Sequence, residues 1–184
     1  CENFGLERIG KSNSKFDREK LAAFNQAAIA AMEPGEFETT LHDWCERYDG
    51  ALPAELGDRF ELAAAAIQPR IKSLGQCREP IGFALIADDA VEFDEKAVAK
   101  ALHKGEPSGL SVLDQFRDML AGVDPFEPEA IEEAVRAFCE NRGVGMGKLA
   151  QPLRVAATGG TVSPGLGETL ALIGKAGMLA RVDR

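Results

Sequence analysis

The chain is poor in aromatic residues: one Trp, one Tyr and ten Phe make up 7% of 184 residues. That leaves an aliphatic, Ala-heavy interior, a composition that favours closely packed helices. No apolar run approaches the roughly 20 residues that span a bilayer. The N-terminal stretch carries Glu2, Glu7 and Arg8 and has no apolar core, so no secretory signal is expected. Cysteine is scarce, and Cys1, Cys45, Cys77 and Cys139 form no CxxC pair. This argues against a zinc site or a disulfide framework and for reduced thiols in a cytoplasmic setting. The two histidines, His42 and His103, fall on polar helix faces and read as surface residues. There is no P-loop, no GxGxxG after a strand, no HExxH and no GxSxG. The run from Gly143 to Gly147 follows a helix and lacks a downstream GK[ST]. Nothing assembles a nucleophile, a base and an oxyanion donor. The expectation is a binding module with no catalytic residue, no cofactor and no metal site.

What is abundant is negative charge. The net charge is −9, which argues against a typical nucleic-acid-binding domain. The distribution is uneven, however. Residues 1 to 143 hold 16 Lys+Arg against 28 Asp+Glu, and residues 144 to 184 hold 5 against 2. A positive segment on an acidic chain points to a local basic surface.

The periodicity is helical throughout. Residues 1–15 are polar and read as an extended linker. The absence of an initiating Met suggests a fragment or a processed product. Asp17 caps a first helix with the stripe Leu21, Phe24, Asn25, Ala28, Ile29, Met32. Pro34-Gly35 ends it. A second helix from Glu36 to Tyr48 turns Phe37, Leu41, Trp44, Cys45 and Tyr48 to one side. A third, from Pro53 to Ile67, is expected to end at Pro69, with Arg70 presented beyond its end. Asp88-Asp89 is the best boundary, giving helical units at 16–88 and 89–184. In the second unit, Phe93 to Leu102 forms a short helix. Ser108 caps the next, with Leu110, Leu113, Phe116 and Leu120 inward. Pro128-Glu129 opens another that Gly143 ends. No strand pattern and no repeat of fixed period occurs. The fold class is all-α, with two small helical bundles in series.

The most distinctive stretch runs from Gly147 to Gly174. It sets Pro152 and Arg154 in an apolar run, breaks at Thr158-Gly159-Gly160, and restarts at Ser163-Pro164. Ser followed by Pro reads as an N-cap and the first helical position. Arg154 in such a run needs a partner. Its planar fork suits carbonyl or phosphate oxygens, whether those of a helix junction or of a ligand.

The segments F-G-L-E-R-I-G-K-S-N-S-K-F-D-R-E-K-L-A-A-F-N, Q-P-R-I-K-S-L and F-D-E-K-A-V-A-K-A-L occur in that order. They are followed by G-K-L-A-Q-P-L-R-V-A-A-T-G-G-T-V-S-P-G-L-G-E-T-L-A-L-I-G-K. Together they resemble the C-terminal anticodon-binding region of bacterial-type glutamyl-tRNA synthetases, class I aminoacyl-tRNA synthetases. The last segment is the most specific. The resemblance implies two stacked bundles that form an α-helical cage around an anticodon loop, with 1–15 as the linker from a stem-contact and catalytic part. It places Arg70, Arg154, Ser163 and Leu166 at positions that contact anticodon bases. Ser163 stands where some relatives carry Thr, and Gly167 where relatives often carry a bulkier apolar residue. At the position of Arg70, the family reads the third anticodon base, C in glutamate tRNA. An Arg fork suits the acceptors of C and would penalise the N–H donor of G.

The implied partner is glutamate tRNA, with no DNA, no membrane and a monomeric state. The implied parent enzyme ligates glutamate to its tRNA using ATP with Mg. The HIGH-type and KMSKS-type activation motifs do not occur in this chain, and Gly10-Lys11-Ser12 matches the linker instead. The fragment alone is therefore expected to be inactive. Two alternatives stay open on the residues themselves: a stand-alone acidic helical module that binds protein, and a free anticodon-domain homologue that acts in trans.

Overall fold

A computed structural model describes residues 17–184, and the linker expected at 1–15 lies outside the described residues. The described residues form ten α-helices, several 3-10 turns and a π-helical turn at Ala99–His103, joined by loops, with no strand among them. The helices are α1 Arg18–Ala30, α2 Pro34–Tyr48, α3 Ala51–Leu56, α4 Phe60–Ile67 and α5 Glu95–Val98. They continue with α6 Gly109–Gly122, α7 Pro128–Arg142, α8 Gly147–Thr158, α9 Leu166–Ile173 and α10 Lys175–Val182.

Several starts follow from local chemistry. The Asp17 carboxylate accepts from the Lys20 N–H at 3.0 Å, and Ser108 Oγ accepts from Ser111 N–H at 3.3 Å. Pro34 and Pro128 occupy first-turn positions, where a missing N–H costs nothing. Gly143 ends α7 in the left-handed conformation.

Other expectations need correction. Pro34 opens α2 as well as following α1. The single helix expected from Pro53 to Ile67 is two, because Gly57 adopts a φ of +52° and a 3-10 turn at Gly57–Arg59 re-aims the chain. The α1 stripe is mostly unburied: Ile29 is in the core, whereas Leu21 and Phe24 are exposed. Tyr48 and Leu110, also expected inward, are exposed. At these positions, period alone does not supply a neighbouring element to pack on.

Two hydrophobic clusters form. One gathers Ile29, Phe37, Leu41, Cys45, Leu56, Phe60, Ile67, Ile71 and Ile81 from the first half of the chain. The other gathers Leu113, Phe116, Leu120, Ile131, Val135, Phe138, Leu149, Leu153, Leu170 and Met178 from the second. The clusters meet: Leu172, from α9, is buried in the first cluster, and Leu62, from α4, packs against both. Helix α9 packs on α7 and α8 and also touches α4 and the 3-10 turn at Glu79–Ala84. It therefore lies along the seam.

Arginines lock both sides of that seam. Arg59 donates to the carbonyls of Leu172 and Ile173 at the end of α9. Cations are favourable at a helix C-terminus. Arg181, on α10, reaches back to Phe83 O at 2.9 Å, Ile86 O at 3.2 Å and Asp88 Oδ1 at 2.7 Å.

Cys45 and Cys77, distant in sequence, meet in the first cluster, and burial pushes the Cys45 thiol up to about 12. Within the same unit, Arg78 bonds both Asp49 oxygens at 2.6 and 2.8 Å and Glu55 at 2.8 Å. These hydrogen bonds hold the Asp49 carboxyl below its ordinary value of 3.8. A depressed carboxylate contributes stability above its unfolded pKa, and that stability is lost as pH falls through the folded value. Asp49→Asn should therefore lower stability at neutral pH and flatten the loss below about pH 4. Thermal melts of both proteins across that acid limb test this, and parallel curves would refute it.

Candidate functional site

The motif identified in the sequence folds into the junction between α8 and α9. Helix α8 ends when Gly159 turns left-handed, with a φ of +77°, and returns its N–H to Val155 O at 2.8 Å. The chain then runs through Gly160 to Gly165 before α9 begins at Leu166. The Gly159 carbonyl accepts from Asp94 N–H at 2.9 Å, which ties the junction to the start of α5.

The expected helix start at Ser163-Pro164 is two residues early. Gly165 is the N-cap, and the Glu168 carboxylate reaches back to its N–H at 3.0 Å. The signal was present as an acidic residue three positions after the cap. Ser163 is half-buried, and its hydroxyl lies 2.9 Å from that of the buried Thr169. Its oxygen therefore holds the junction together and does not cap α9.

Arg154 projects from α8 across the junction, and its guanidinium donates to Pro164 O at 3.3 Å. Its Nε is buried with no hydrogen-bond partner among the described residues. Donors left so cost about 1–3 kcal/mol, and a native structure that tolerates one needs a reason.

Arg70 corrects an expectation. Pro69 does end α4, in a 3-10 turn at Gln68–Arg70. The Arg70 guanidinium, however, does not extend beyond the helix. It folds back to donate to Ala66 O at 2.5 Å and lies 3.6 Å from the Glu168 carboxylate on α9. A free carbonyl at a helix end is a strong local acceptor, and proximity outweighs reach.

All four sequence-derived candidates thus converge on one junction. Arg154 meets it at Pro164 and Arg70 at Glu168, while Ser163 and Leu166 belong to it. Two chain halves contribute, and the seam brings them together. Glu168 was missed as the link between Arg70 and the junction.

Gly167, where a bulkier residue was the expectation, also has a physical account. A Cβ there would overlap the Pro128 carbonyl at the start of α7, so α9 lies close against α7 only because residue 167 has no side chain.

The remaining positive charge of the tail divides. Arg181 is buried in structural bonds, and Arg184 donates to Asp88 O at 2.8 Å. No helix among the described residues is long and apolar enough to cross a membrane.

Residues 36–184 match the family described as anticodon binding domain. The chain is 40% identical over 185 residues to glutamate–tRNA ligase 1 of Sphingopyxis alaskensis, covering 99% of this chain and 37% of that relative. It is 34% identical over 184 residues to the glutamate–tRNA ligase of Syntrophobacter fumaroxidans, with the same two coverages. The chain therefore spans about 37% of the length of these relatives. Among solved structures, a glutamate tRNA ligase from Elizabethkingia meningosepticum superposes with a TM-score of 0.77 at 23% identity. That superposition covers 98% of this chain and 34% of that one, and it establishes a shared fold. With the match covering residues 36–184, the greater part of its length, the chain belongs to the anticodon-binding domain family.

Proposed function

We propose that this chain is the tRNA-reading part of a glutamate–tRNA ligase. It divides at 88/89 into two helical subdomains, and the α8–α9 junction meets the anticodon loop. The convergence of Arg70, Arg154, Ser163 and Leu166 on that junction carries the reading. Exposed loop bases are read by hydrogen bonds to their edges and by stacking, including on guanidinium planes. Arg154 suits this task because its fork is already oriented by Pro164 at the junction. Arg70 contributes from the other subdomain, its fork set by Ala66 and Glu168. The partner is glutamate tRNA, bound by a monomer in the cytoplasm. Activation of glutamate with ATP and Mg belongs to the rest of such an enzyme, and no residue of this chain is assigned to it.

The acidic surface and the exposed Leu21 and Phe24 on α1 favour a second reading, a module that binds protein. The two separate on binding to a synthetic anticodon stem-loop. Arg154→Ala should weaken that binding by about 1–3 kcal/mol, with thermal melting run alongside. Arg70→Gln, which both donates and accepts, should narrow the preference for C over G at the third anticodon base. Unchanged binding in a stably folded Arg154→Ala protein would reduce Arg154 to a cap on the Pro164 carbonyl.

A further inference from the structure

Beside the junction lies a cleft of about 710 Å³ lined by Lys100, Lys104, Lys148, Gln151, Pro152 and Thr161, among others. A second hollow of about 440 Å³ shares Lys100 and Thr161 with it and adds Lys96, Gly160 and Val162. The two form one path. It starts at the Gly105 turn, passes the first turn of α8, and ends at Gly160–Val162, next to Ser163. From this we propose that the path is a phosphate-binding track for the RNA arm whose loop the junction reads. The proposal rests on the function proposed above and adds the backbone contacts to it.

Charge carries the argument. The overall charge of −9 opposes binding to any polyanion, so phosphate contacts require a local concentration of unneutralised cations. The ion pairs among the described residues are made by arginine or histidine, and Lys96, Lys100, Lys104 and Lys148 take part in none of them. Asp94 is the one acidic residue on the path, and its carboxylate is engaged by Ala97 N–H at 2.7 Å. Glu95 and Glu106 are neighbours in sequence but do not line it.

The cleft also has built features. Gly105 has a φ of +104°, and the place a Cβ would take there is filled by Lys148 Nζ, so the ammonium sits in the turn. Gly109, also in the lining, packs its backbone so closely on Ala101 O and Pro152 that no side chain fits. The wall is therefore narrow backbone with lysines around it and few large apolar side chains. Such a wall suits a sugar-phosphate strand. A compact apolar ligand would need more hydrophobic lining.

Backbone contacts and base contacts have different signatures. A lysine on a phosphate weakens binding uniformly across sequences when removed, and lowers the salt slope by about one. The test uses the full chain, a cognate anticodon stem-loop RNA, and a second stem-loop with an altered anticodon. Affinities are measured over a series of salt concentrations for wild type and for Lys100→Gln/Lys104→Gln/Lys148→Gln. The slope of log K against log salt should flatten by about three in the triple variant. Affinity for both RNAs should fall by the same factor, so that discrimination is unchanged. Lys100→Arg/Lys104→Arg/Lys148→Arg should keep the wild-type slope. The single variants are measured as well, with a thermal melt of each, so that a folding defect in the triple leaves three separate slopes to judge. An unchanged slope, while Arg154→Ala still weakens binding, would overturn the track and leave the base-reading junction standing. A loss confined to one of the two RNAs would overturn it too. No RNA binding by wild type would overturn both proposals.

Discussion

Replacing Arg181 by leucine should lower the unfolding free energy by several kcal/mol, at about 1–3 kcal/mol for each buried carbonyl left without its donor. The Arg181 side chain is 1% exposed, whereas its carboxylate partner Asp88 is 41% exposed. Loss of the guanidinium leaves Asp88 free to hydrate, so the larger cost falls on the carbonyls. Ala157 O accepts from Arg181 Nη1 at 2.6 Å in a buried position, and Phe83 O shares the same nitrogen. Leucine satisfies none of these acceptors. Lysine offers a point charge without the planar fork, so Arg181→Lys should recover only part of the loss.

Because this clamp runs from α10 to the segment that links the two clusters, its removal should also reduce their cooperation. The single tryptophan, Trp44, packs against the first cluster and reports on it. Far-ultraviolet circular dichroism reports on both. In urea, the two probes should give coincident transitions in wild type. In Arg181→Leu they should give a lower and divergent pair of midpoints. An unchanged midpoint would mean that the carbonyls find other donors and that the clamp is redundant.

Gly159→Ala should cost about 2–5 kcal/mol, from two sources. A left-handed backbone charges a non-glycine residue roughly 1–2 kcal/mol, and Gly159 has a φ of +77°. In addition, a Cβ there would overlap the Glu92 carbonyl, which is backbone and cannot swing away as a flexible side chain would. Displacing a packed neighbour costs about 1–3 kcal/mol more. The adjacent Gly160 is the control. It has no positive φ, and nothing lies within 4 Å of the place its Cβ would take. Gly160→Ala should therefore change stability by less than about 0.5 kcal/mol. Denaturant midpoints of the two variants settle the comparison, and equal effects would contradict it. Gly159 also accepts from Asp94 N–H, so its displacement should loosen the junction that carries Arg154 and Ser163. Stem-loop binding by Gly159→Ala should fall even at temperatures where the protein is folded.

The sequence showed much of the fold because its strongest signals are local. Caps at Asp17 and Ser108, a proline opening α7 and a glycine closing it depend on bonds within a few residues, and the structure has them there. On α4 and α7 the buried residues, Phe60, Ala63, Ala64 and Ile67 and then Ile131, Val135 and Phe138, recur at the helical spacing that the sequence carries. The exposure of Leu21 and Phe24 was not legible, because a stripe records which side is apolar and not whether anything packs on it. The placement of the α9 start at Ser163 failed for a local reason: two capping patterns overlapped, and the one closed by Glu168 prevailed.

By itself, the sequence determined that the chain is helical and that its charge is uneven, and its resemblance to a known family singled out Arg70, Arg154, Ser163 and Leu166. Only the tertiary structure decided that they meet. Residues 70 and 168 are far apart along the chain, and no periodicity relates them. They come together because α9 buries Leu172 in the first cluster while its remaining apolar residues pack in the second. The same packing folds Arg70 back against Glu168, commits Arg181 to structural bonds, and leaves the lysines of α8 and of the chain before α6 unpaired along one path. Whether a cation is spent inside the fold or left for a ligand depends on which acceptors the fold brings within reach, and those acceptors are mostly backbone carbonyls from distant segments.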